Sequence, residues 1–151
     1  MANEIQASYT SGGTLYAVLR NRAGEVWYIA GQTFEQWGTA GHDAGDYALA
    51  MTDKGGSRYV GSFDTGVAAG TYFVQWFTQA GASPADGDTP LGSRAIAWSG
   101  TAELTATKLL ANKAVQNLST RAIDYYDDDG ATVIVSHASI DNGLTHTRAP
   151  N

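Results

Sequence analysis

The apolar pattern of this chain changes period near Thr101, and that change limits what it can fold into. Up to Trp98 the residues read as short alternating strands broken by glycine turns. From about Thr105 to Leu118 the pattern becomes a helical stripe, and from Ala122 onward strand and hairpin signals return. A tail of one helix and a small meander has too little apolar surface to fold alone. It is expected to dock on the preceding β unit or on another copy of the chain. The reading divides the chain into a β domain over residues 1–100 and an attachment or oligomerisation segment over residues 101–151.

Seven strand candidates fit into the first part: Ile5 to Tyr9, Thr14 to Arg20, Glu25 to Ile29, Tyr47 to Thr52, Tyr59 to Phe63, Thr71 to Thr78 and Ser93 to Trp98. Each is bounded by Gly, Asn, Asp or Ser, which supply the turn chemistry that reverses a chain. Such spacing suggests a sandwich or a barrel. The segment Val67-Ala68-Ala69-Gly70-Thr71-Tyr72 fits the corner at which a tyrosine pins the crossing between the sheets of an immunoglobulin-like sandwich, or else an ordinary β-turn. The expected fold is therefore mainly β, an immunoglobulin-like β-sandwich of about seven strands followed by one amphipathic helix and a small β-meander. Ala30 to Asp46 is the longest irregular piece, carrying Phe34, Trp37 and His42. A loop of that length is usually functional or packed over an end of the core.

In the second part, Thr105 can cap a helix whose apolar face holds Leu110, Ala111, Ala114, Val115 and Leu118. Leu110, Ala114, Val115 and Leu118 are the candidate protein-interface residues. Asp127-Asp128-Asp129-Gly130 and Asp141-Asn142-Gly143 are strong hairpin signals, since Asp-Gly and Asn-Gly accept the positive φ of tight turns. Together they predict a three-stranded meander.

The 151 residues, 43% hydrophobic, allow a full core. Nine Lys and Arg against fifteen Asp and Glu give a net charge of −6, which argues against nucleic acid and anionic membrane surfaces as partners. No run approaches the roughly eighteen apolar residues of a membrane span. The opening Met1-Ala2-Asn3-Glu4 lacks the regions of a signal peptide, so folding in a cytoplasm is expected. With no cysteine there is no disulfide framework or thiol chemistry.

Catalytic and cofactor signals are weak. The acidic run before Gly130 lacks the alternating ligands and distant glutamate of an EF-hand, because Ala131, Val133 and Val135 fall where ligands would sit. His42, His137 and His146 form no metal signature, although the last two could meet across the meander. Neither a nucleophile elbow nor a phosphate-binding loop occurs. No catalytic residue, metal or cofactor is assigned. Tryptophans and tyrosines could instead offer a flat face to a sugar ring. Trp76 and Trp98 sit in strong strand patterns and read as core, whereas Trp37, on the long loop, is the candidate exposed aromatic for surface binding.

Two stretches carry a family resemblance. Thr14-Leu15-Tyr16-Ala17-Val18-Leu19-Arg20-Asn21, Ala23-Gly24-Glu25-Val26-Trp27 and Ala69-Gly70-Thr71-Tyr72 resemble the immunoglobulin-like domains of tail, baseplate and capsid-surface proteins of tailed bacteriophages. Leu109 to Gln116, Ile123 to Gly130 and Thr145 to Arg148 resemble a helix-plus-hairpin ending of phage-encoded proteins. The resemblance implies a non-enzymatic virion structural or accessory protein, at the tail, baseplate, neck or capsid surface. Its implied partners are other virion proteins and further copies of the chain, and it would be assembled in the host cytoplasm. A carbohydrate-binding β-sandwich module, adhering to host-surface glycans, is the alternative.

Overall fold

The computed structural model describes residues 4–106, 113–126, 130–141 and 146–150. The chain is mainly β, as expected, with thirteen strands in three antiparallel sheets among the described residues. Among these residues no helix is long and apolar enough to cross a membrane.

A three-stranded sheet has the order β1 (Ile5–Ser8), β7 (Arg58–Gly61), β6 (Thr52–Asp53). A six-stranded sheet runs β4 (Thr33–Glu35), β3 (Val26–Tyr28), β2 (Leu15–Arg20), β8 (Gly70–Thr78), β9 (Thr89–Trp98). Its sixth strand, β5 (Leu49–Ala50), pairs with β2 beyond the end of β3. The stretch expected as one strand over Tyr47 to Thr52 is thus two short strands on two sheets. The chain changes sheet at Met51, and Tyr47 ends the four-residue helix α1 (Ala44–Tyr47).

Alternation explains the core. On β2, Leu15, Ala17 and Leu19 point to one side and join a cluster that includes Ile5, Ala7 and Tyr59 of the three-stranded sheet and Trp27, Tyr72, Val74, Ile96 and Trp98. On the opposite side, Tyr16 and Val18 join Val26, Ala44 and Tyr47 in a second cluster. The central strand is therefore buried on both faces, which is why its pattern reads as a continuous apolar run.

The tyrosine pin forms. Tyr72 donates from its hydroxyl to the Ala68 carbonyl at 2.8 Å, and the Trp98 indole N–H donates to the Val67 carbonyl at 3.1 Å. A Cβ at Gly70 would crowd this bond, standing 3.0 Å from the Tyr72 hydroxyl oxygen. After Trp98 the chain folds back on β9. Leu104 N–H donates to the Ala97 carbonyl, and Glu103 takes a two-pronged ion pair from Arg94 at 2.9 Å to each oxygen. Arg94 also donates to the Glu4 carbonyl at 2.6 Å, tying β9 to the start of β1.

The third sheet contains β10 (Ala114–Gln116), β11 (Ile123–Tyr126), β12 (Val133–Asp141) and β13 (His146–Pro150), in chain order. It has one strand more than the expected meander, and the extra strand replaces the end of the expected helix. Ala114 and Val115 pair with Tyr125 and Asp124. The reason is local: the Asn117 side chain accepts from the Ser119 and Thr120 backbone N–H groups and closes a turn that a helix could not contain. The sequence reading passed over this turn chemistry. Leu110 and the acidic residues Asp127 to Asp129 lie outside the described residues. Gly130 adopts φ +65°, as its hairpin turn demands.

Candidate functional site

The long loop is ordered and built onto the six-stranded sheet. It contributes β4, a 3₁₀ turn over Thr39–Gly41 and α1, and covers the Tyr16–Val18–Val26 face. Asp43 caps α1 by accepting from Gly45 N–H at 2.8 Å, while Asp46 accepts from Asp43 N–H at 3.0 Å. The loop after β8 reaches across to the same helix, where Asp86 accepts from Ala44 N–H at 2.9 Å.

Polar side chains cluster where the loop crosses β3 and β4. His42 Nδ1 lies 2.6 Å from a Glu35 carboxylate oxygen, and the Tyr47 hydroxyl donates to that same oxygen at 3.0 Å. The Tyr28 ring stacks on the imidazole at 4.0 Å between centroids. Gly38 N–H donates to the Tyr47 hydroxyl at 3.1 Å. Burial, followed by the Glu35 hydrogen bond, pushes the Tyr47 hydroxyl above its ordinary range and keeps it a donor. A carboxylate fixing an imidazole is half of a nucleophile-activating unit, but the one hydroxyl bonded here is Tyr47's, spent on Glu35. The cluster buckles the loop to the sheet.

Trp37 is half-buried. Its ring lies 4.9 Å from that of Tyr47, and the Arg20 guanidinium sits over it at 5.1 Å. The open aromatic expected at this position is thus occupied on one side by a cation. Trp98 is 1% exposed, as a core residue should be. Trp76, also read as core, is half-buried at the margin of the main cluster and lines a groove of about 580 Å³ beside β1. Sequence reasoning missed this site. Its available signal was Gly92, directly opposite Trp76 on β9, where a Cβ would stand 2.9 Å from the indole.

The interface candidates fall on the third sheet and its first turn. Ala114 is exposed on β10, Val115 is 38% exposed, and Leu118 is 86% exposed in the turn that follows. Val133, on β12, is 43% exposed. Ala114, Val115 and Leu118 belong to a strand and the turn after it, not to a helical stripe, and Ala114 and Val115, consecutive on β10, point to opposite faces of the sheet. His137 stands opposite Pro150 and His146 opposite Asp141, so the two lie four register positions apart on β12 and β13. Among the described residues no three His, Asp or Glu side chains gather as a metal site would require. Comparison with family models, curated proteins and solved structures finds no match.

Proposed function

We propose that the chain is a non-enzymatic structural or accessory component of a tailed-phage virion: an immunoglobulin-like sandwich held to its neighbours by residues 101–151. The sandwich reading is supported by strand order, β1-β7-β6 against β4-β3-β2-β8-β9, together with the Tyr72–Ala68 corner at the start of the penultimate strand of the core. The virion reading rests on the sequence resemblance. The observation that carries assembly is the third sheet, which leaves Leu118, Val133 and Val115 in solvent. Apolar side chains concentrated on a small sheet mark an association surface. Further copies and other virion proteins are the partners, no cofactor is used, and assembly takes place in the host cytoplasm.

Two measurements test this. Sedimentation of the purified chain should show an oligomer, and antibodies to it should label purified phage particles. A monomer at every concentration, together with unlabelled particles, would refute the assembly role.

A further inference from the structure

We propose that the groove between β1 and β9 binds an acidic saccharide, with a sugar ring seated on Trp76 and its carboxylate facing Arg58. This stands independently of the virion reading. Trp76 continues the inward-facing row Tyr72–Val74 of β8, so the opposing sheet would be expected to cover it with apolar side chains. It does not. Beside Trp76 the groove is lined by the apolar Ala7 and Leu91 and by the polar Gln6, Ser8, Ser57 and Arg58. The indole is held against β9 by the absence of a side chain at Gly92, whose Cβ would lie 2.9 Å from Cζ2 and 3.2 Å from Cε2. A flat, fixed ring beside hydrogen-bonding groups suits the apolar C–H face of a pyranose and its hydroxyls.

The polar inventory specifies the ligand further. The Trp76 indole N–H, the Arg58 guanidinium and the Ser8 and Ser57 hydroxyls form no side-chain hydrogen bond with a described residue. Indole and guanidinium can only donate, so the site selects an acceptor-rich ligand. Among the described residues, Arg58 is the one charged residue lining the groove, in a protein of net charge −6. A carboxylate matches the planar, two-pronged donor set of a guanidinium.

The test follows the four indole N–H resonances of the ¹⁵N-labelled full chain, assigned with Trp76→Phe and Trp37→Phe. Titrants are trigalacturonate and sialyllactose as acidic sugars, maltotriose and cellotriose as neutral ones, and acetate and inorganic phosphate as simple anions. An acidic sugar should move the Trp76 resonance saturably, and the exposed substitution Arg58→Gln should weaken that binding by about tenfold, equivalent to ~1.4 kcal/mol. Should Trp76→Phe not fold, Arg58→Gln still decides the outcome. Five results would overturn the proposal: no saturable shift up to about 10 mM, which would occupy even a millimolar site; a shift at Trp37 instead; equal affinity for acetate or phosphate; neutral sugars binding as tightly as acidic ones; or acidic-sugar affinity unchanged in Arg58→Gln.

Discussion

Tyr72 and Gly70 form one device, and a double-mutant cycle can show it. Tyr72→Phe removes the 2.8 Å bond to the Ala68 carbonyl but leaves the ring stacked on Phe34 at 5.4 Å and edge-on to Phe63 at 6.2 Å. Apolar burial is thus conserved, and the loss is that of one hydrogen bond, about 1 kcal/mol. Trp98 still holds Val67, so the corner loosens without opening. Gly70→Ala should cost a similar ~1 kcal/mol, because its Cβ would lie 3.0 Å from the hydroxyl oxygen and 3.1 Å from Cζ, displacing the ring from its acceptor. In the Tyr72→Phe background the tightest of these contacts is gone. Restricting the unfolded chain by Ala then contributes about 0.4–1 kcal/mol in its favour, and the second substitution becomes neutral or stabilising. Urea unfolding at constant m should return a coupling of about 1 kcal/mol. If the single losses add within ~0.3 kcal/mol, or Tyr72→Phe leaves the midpoint unchanged, the corner does not pin the fold.

Three further outcomes are expected. Gly130→Val should destabilise the third sheet by about 1–2 kcal/mol, since a β-branched residue is strained at its φ of +65°, and Gly130→Asn should cost less; hydrogen exchange of β11 and β12 amides reports both. The Tyr16 hydroxyl is pushed up to about 12 by burial first, then by Asp88 and Asp86, from an ordinary value of 10.0. The unfolded chain therefore loses this proton first, so stability should fall as pH rises from about 10 to about 12, by on the order of 2 kcal/mol, and Tyr16→Phe should flatten the slope in alkaline urea titrations. Val115→Asp with Leu118→Asp should leave the near-UV circular dichroism unchanged and abolish self-association, each large side chain contributing roughly 1.5–3 kcal/mol when buried between copies; unchanged sedimentation would move the contact surface elsewhere.

The strands of the first hundred residues could be read because alternation and turn residues are local. Leu15, Ala17 and Leu19 separate from Tyr16 and Val18 by side-chain period alone, and Gly70-x-Tyr72 carries the corner within three positions. Elements set by distant partners could not be read. α1 depends on Asp86, forty-two positions away from the Ala44 N–H it accepts from. The segment Ala114–Gln116 keeps an apolar spacing that suits a helix, yet pairing with Ile123–Tyr125 and the Asn117 turn direct it into a strand. Helical periodicity is a weak guide over so short a stretch, and here pairing across the turn prevails.

The two tryptophans show why the site was harder to read than the fold. Trp37 sits on a loop and suggested exposure, but Arg20 reaches it from the end of β2 and Tyr47 from α1. Trp76 sits in a strong strand and suggested burial, but β1 and the turn before β7 set Ser8 and Ser57 near it where a sealed core would place apolar side chains. An aromatic ring's own element fixes only the direction in which it points. Whether it is covered depends on residues supplied by other strands, and for Trp76 none of these is a near neighbour in sequence: Ala7 and Ser8 on β1, Ser57 and Arg58 at β7, and Leu91 on β9. Gly92 is the trace of this arrangement within the paired strands, because a glycine inside a ten-residue strand weakens it unless a neighbour needs the space. Here the neighbour is the Trp76 indole, and what the glycine secures is the ring's fixed position at the mouth of the groove.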